Sequence, residues 1–169
     1  MNTLKLRGLL TVLLAACAIS ASAQEFKVGY VNTQRFTTES APAKTAQAKL
    51  EAEFSKRQKE LVDQQTALKN FGEKFERDAP TLSESQRAAR QKEGAELGRD
   101  LQRRQREFQE DLNGRRNEEY QQVLDRAFKA VKQVADAEKY DVVIQDAVYV
   151  SPKHDITDKV LKILNSAGK

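Results

Sequence analysis

"NFGEKFERDAPTLSESQRAAR", residues 70–90, is a pair of charged, helix-prone runs broken by one proline. Pro80 is the only proline between Pro42 and Pro152. A proline inside a helical pattern ends the helix just before it. Beyond it, Ser83 and Gln86 have the spacing of a capping box, and Thr81 with Glu84 offers a rival one. The stretch therefore reads as a turn at 79–82 between two helices. Working outward, residues 41–138 contain almost no other helix breaker, and Pro42 suits a first helical turn. At about 1.5 Å per residue, 41–78 extends roughly 57 Å and 83–138 roughly 84 Å. Two such helices joined by a short turn form an extended antiparallel hairpin.

A turn centred there also sets the register. Phe54 meets Phe108, Leu61 meets Leu101, and Leu50 meets Leu112. Phe54, Leu61, Leu68 and Phe75 repeat at heptad spacing, a coiled-coil seam on one side of the first helix. The rest of the seam is poor. Arg57 and Gln64 interrupt it, and Arg57 would face Arg104. "QRRQRE" (102–107) and "NGRRNEE" (113–119) hold no apolar residue. Gly72, Gly94, Gly98 and Gly114 each weaken a helix interior by about 1 kcal/mol relative to alanine. The hairpin is thin, and its distal part needs an anchor at the base.

The two ends of the chain supply that anchor. "FKVGYVNTQRF" (26–36) opens with strand-like Phe26, Val28, Tyr30 and Val31, and Asn32 or Thr33 can cap a short helix. "YDVVIQDAVYVSP" (140–152) reads as two short buried strands. Asp155 then caps a helix with Ile156, Val160, Ile163 and Leu164 on one face and Gly168 near its end. The expected fold class is α+β, mainly α. Residues 24–40 and 139–169 form a small body, and 41–138 form an arm whose base packs into it. A body that small needs a staple. Oligomerisation through the strands and through Leu124, Phe128, Val131 and Val134 is the route left open.

The N-terminus reads as an export signal. Lys5 and Arg7 precede the apolar run "GLLTVLLAACA" (8–18), and "ASA" at 21–23 is a small-x-small cleavage site. Cleavage after Ala23 would remove 2 of the 29 basic residues, leaving 27 against 25 acidic ones. It would also remove Cys17, the only cysteine, and with it disulfides and thiol chemistry. "LAAC" (14–17) is a competing lipobox in which Cys17 would be lipidated.

No catalytic constellation, metal set or cofactor motif stands out. His154, the only histidine, reads as a solvated loop residue beside the Asp155 cap. Acidic and basic residues alternate at helical spacing, as on solvated helix faces. There is no G-x-x-x-x-G-K-[ST] and no G-x-G-x-x-G. The arginine-rich stretches 99–106 and 115–116 invite a nucleic-acid reading, but export argues against it.

With these pieces in place, "VGYVNTQRF", "FQEDLNGRRNEEYQQVL" and "YDVVIQDAVYVSPKHDITDKVLKIL" resemble the Skp/OmpH family of periplasmic chaperones, in order and over nearly the whole mature chain. The resemblance implies a homotrimer. Strands join in a body, arms surround a cavity, and unfolded outer-membrane proteins are held there without ATP or any other cofactor. Val28, Tyr30, Leu124, Phe128, Val131, Val142 and Ile144 are the expected oligomerisation residues. Client contacts are expected on the arms, including Phe71, Phe75 and Leu82 near the tip; ordinary hairpin packing is the alternative for the two phenylalanines. The family's basic site for lipopolysaccharide, or for an anionic membrane surface, falls on Arg104, Arg115, Arg116 and Arg126. Gly114 stands where a cation is expected. A lipid-anchored envelope scaffold and a coiled-coil adaptor are the competing readings.

Overall fold

The computed structural model describes residues 26–166 of the 169. The expected signal segment, Cys17, Ala23 and Gly168 lie outside the described residues. Strand β1 (Val28–Tyr30) leads into helix α1 (Thr33–Glu39). The Asn32 side chain accepts the Arg35 N–H at 3.2 Å and so caps α1. Ser40 then serves two helices at once. Its hydroxyl donates to the Phe36 carbonyl at 2.6 Å and accepts the Ala43 N–H at 3.2 Å. That makes it the N-cap of α2 (Ala41–Asp78), with Pro42 in the first turn.

A 3-10 turn over Ala79–Thr81 reverses the chain into α3 (Glu84–Glu138), 55 residues long. The Ser83–Gln86 capping box forms, and the Thr81–Glu84 rival does not. Lys139 ends α3 in the left-handed conformation at φ 58°, and the Tyr140 N–H turns back to the Ala135 carbonyl. Strand β2 (Val142–Ile144) lies parallel to β1, pairing Val28 with Val142, Gly29 with Val143 and Tyr30 with Ile144. The whole hairpin is thus the crossover between two parallel strands. A 3-10 turn (Pro152–His154) leads to α4 (Thr157–Ser166).

The core sits at the body end. Val31, Phe36, Ala127, Ala130, Val134, Ile156, Val160, Leu161 and Leu164 form one buried cluster. Gly29 lets β1 lie close there: an added Cβ would stand 3.2 Å from both Ile156 and Tyr140, whose side chains would have to give by a few tenths of an ångström. Two smaller clusters continue up the hairpin: Ala43, Ala46 and Val123, then Leu50, Phe54 and Phe108. The Phe54 and Phe108 rings meet edge to face at 5.7 Å, so the hairpin register is the one read from the sequence. Leu61 and Leu112 pack against that pair.

Several expectations need correcting. Only one strand forms within 140–152, and it is not buried. Alternation turns Val143 inward and leaves Val142 and Ile144 exposed. Val148 and Tyr149 stand in solvent, because this single chain has no layer to cover them. At the base of α3 the inward stripe is Val123, Ala127, Ala130 and Val134. Alanines let α3 lie close to Phe36 and α4, which turns Leu124 and Phe128 sideways. Arg57 and Arg104 do line one small cleft across the hairpin, but neither charge is left unanswered. The Arg57 guanidinium lies 5.8 Å over each ring of the phenylalanine pair and binds Asp111 at 2.8 Å, while Arg104 contacts Asp100 at 3.7 Å. Asp155 is not the residue just before the helix. Its backbone bridges to Tyr30, so α4 starts at Thr157, whose N–H the Asp155 carboxylate accepts at 2.8 Å. His154 is half-buried, with Nδ1 3.0 Å from the Val28 carbonyl oxygen.

Candidate functional site

The arm tip gathers three candidate residues into one place. Phe71, Phe75 and Leu82 line a cleft of about 60 Å³ with Lys74, Asp78 and Arg90. All three apolar side chains are half-buried. Phe71 lies against α3 at Gly94, where an added Cβ would come within 3.0 Å of the ring. The Arg90 guanidinium sits 5.9 Å over that ring and binds Glu93 at 2.9 Å. The cleft therefore combines exposed aromatic edges with cations at its rim. Farther down, Val62 and Leu97 are exposed apolar residues on the arm. The heptad reading passed over Leu97 because its neighbours are polar or glycine.

The four arginines of α3 do not form one cluster. Residues 104 and 126 are separated by roughly 33 Å of helix at 1.5 Å per residue. Arg104 contacts Asp100 at 3.7 Å. Arg115 is fully engaged: it reaches Glu53 across the hairpin at 3.3 Å, Glu119 at 3.1 Å, and Glu118. Hydrogen bonds to Glu118 and Glu53 hold its pKa above the usual arginine value. Arg116 and Arg126 are exposed and carry no ion pair among the described residues. Glu119 went unnoticed in the sequence. It is 5% exposed, and Lys49 approaches it at 3.7 Å from α2, so its charge is buried only because two cations attend it.

The body carries an uncovered apolar surface. Phe128, Val142 and Ile144 are exposed, while Val28, Tyr30, Leu124 and Val131 are half-buried. Tyr120 extends the same side of α3 by two turns. Beside it, Lys27 and Lys159 clasp Glu138 at 3.8 and 2.6 Å. The hydrogen bond from Lys159 holds the Glu138 carboxyl below its ordinary value. Among the described residues no helix is long and apolar enough to cross a membrane, and no grouping of side chains suits a metal ion.

Known proteins are similar to this chain in sequence and fold. The family model described as "Outer membrane protein (OmpH-like)" matches residues 27–164. "Chaperone protein Skp" of Yersinia enterocolitica is 35% identical over 149 residues, covering 87% of this chain and 91% of that protein. The protein of the same name from Photorhabdus luminescens is 37% identical over 152 residues, with the same 87% and 91% covered. The crystal structure of an OmpH-like chain from Caulobacter crescentus CB15 has a TM-score of 0.72 at 20% identity, covering 83% of this chain and 85% of that one. The last likeness concerns the fold, and the first three concern ancestry. With a family model that spans β1, the full hairpin and most of α4, the chain belongs to the OmpH-like family.

Proposed function

We propose that this chain is a nucleotide-independent holdase of the periplasm. It would keep unfolded outer-membrane proteins from aggregating between helical arms carried by a homotrimeric body. One observation carries the reading: apolar side chains are left uncovered at the body and only half-covered at the tip of a long, mostly charged arm. At the body, Phe128, Val142 and Ile144 need a partner, and further copies of the same chain would supply it. At the tip, Phe71, Phe75 and Leu82 are half-buried and offer weak, distributed contacts. Such contacts suit a binder that must release many different sequences. Unfolded β-barrel strands expose alternating apolar residues and aggregate readily, so a loose cage with polar walls is chemically apt. A contact with lipopolysaccharide or an anionic membrane surface would fall on Arg116 and Arg126, since Arg104 and Arg115 are already engaged.

The test is a dilution experiment. A urea-unfolded outer-membrane β-barrel protein is diluted into buffer with and without the chain, and light scattering and complex mass are recorded without nucleotide. Suppressed scattering, with one client per trimer, is the expected result. Unchanged scattering would remove the holdase reading.

A further inference from the structure

A second groove lies at the opposite end from the tip. It is about 430 Å³ and is lined by Pro42 of α2, by Arg126, Lys129, Ala130 and Gln133 of α3, and by Ile163 and Leu164 of α4. Its floor is apolar: Ala130 and Leu164 are buried, and Ile163 is half-buried. One wall holds two cations a single helical turn apart. Neither Arg126 nor Lys129 has an ion pair or a side-chain hydrogen bond among the described residues. Arg90, Arg103, Arg104 and Arg115 of the same helix are all paired with carboxylates. Arg99, Arg106 and Arg116 are unpaired too, but only Arg126 and Lys129 flank a groove with a buried apolar floor. The Asn165 side chain, accepting the Ala41 N–H at 2.7 Å, ties α4 to the start of α2 beside it.

We propose that this groove binds the C-terminal residue of an unfolded polypeptide, its carboxylate between Arg126 and Lys129 and its apolar side chain against Ile163, Leu164 and Ala130. The proposal rests on the client-binding reading and specifies a part of the client. The match is one of chemistry. A terminal residue with a bulky side chain carries an anion and an apolar group on the same Cα. An internal Asp or Glu places its nearest large apolar group on another residue. The volume lies within the range of pockets that enclose small ligands. Two cations on one turn give a carboxylate charge-assisted donors, and the Gln133 amide lies on the same stripe. Capture of a chain terminus is an established way to bind peptides of varied sequence.

The test uses the full mature chain and a fluorescently labelled polar peptide ending in Leu, prepared as the free acid and as the C-terminal amide. Anisotropy is read at low salt. The amide is expected to bind at least about tenfold more weakly, as loss of a charge-assisted hydrogen bond implies. An Arg126→Gln/Lys129→Gln double variant, with helical content checked by circular dichroism, should weaken the acid by a similar factor and leave the amide unchanged. Ile163→Ser should weaken both peptides. Equal binding of acid and amide would overturn the proposal. So would displacement of the acid by lipopolysaccharide with no difference between the two peptides, which would make the groove a lipid-phosphate site. Aggregation suppression is measured on the same preparation. Its failure would sink the client reading, while the acid-to-amide ratio would still decide the groove.

Discussion

The same two helices behave differently at their two ends. At the body, α3 meets α1, α2, α4 and strand β2, and its inward stripe from Val123 to Val134 is buried. At the tip, α2 and α3 meet only each other and the turn between them. Beyond Phe54 on α2 no residue is buried, and beyond Leu101 toward the turn none is buried on α3. Ion pairs change too: those that join the two helices, Lys49–Glu119, Arg57–Asp111 and Arg115–Glu53, all lie on the body side, and the distal pairs stay within one helix. The largest change is in the surfaces available to cover apolar side chains. Long helices take most of their stability from such packing, so the body is expected to hold and the arm to yield.

The contrast can be tested from its strongest point downward. Leu124→Asp/Phe128→Asp should abolish the proposed homotrimer altogether, seen as monomer mass in sedimentation. An intact oligomer would mean that the uncovered body surface is not the interface. Phe36 is fully buried in the body core, so Phe36→Ala should cost about 3–5 kcal/mol in urea unfolding. Phe54→Ala, in the seam where the hairpin can partly close the gap, should cost about 2–3 kcal/mol. Phe71→Ala and Leu82→Ser at the tip should each cost less than about 1 kcal/mol, yet reduce aggregation suppression. If the tip variants unfolded the protein as readily as Phe36→Ala, the contrast would collapse.

The smallest effect is one of pH. Glu138 has an ordinary carboxyl value of 4.5 in the unfolded chain and a lower one in the clasp with Lys159 and Lys27. Its contribution is complete above 4.5 and fades as pH falls through the folded value. Unfolding of Glu138→Gln should lose that part of the acid dependence. Since the clasp is open to solvent, the change should be slight.

The features legible in the sequence were local or strictly periodic. Pro80 and the Ser83–Gln86 box marked the turn by backbone chemistry alone. Phe54 and Phe108 fell opposite each other because a short turn leaves little freedom of register. The features that were not legible depend on distant partners. Ala127 and Ala130 carry too little apolar area to stand out, and their burial follows from the bulk of Phe36 and the approach of α4. Glu119 looks like any solvated helix glutamate until Lys49 arrives from the other helix. Val148 and Tyr149 alternate like a buried strand, but burial needs a covering layer that one chain does not contain. At the tip, the heptad named Phe75, but no pattern revealed that Leu82 and Arg90 share its cleft. The four arginines read as one patch, and only the approach of Glu53 and Glu119 in the folded hairpin shows why Arg115 is not free.

The most direct test of the central claim is amide hydrogen exchange along the full chain, read by peptide. The segments packed at the body end, 28–54, 108–144 and 156–164, should exchange slowly. The distal arm, 62–100, should exchange orders of magnitude faster, though it is helical throughout on either side of the turn. Uniform slow exchange from body to tip would contradict the account, because it would make the arm a rigid strut and not a pliable wall.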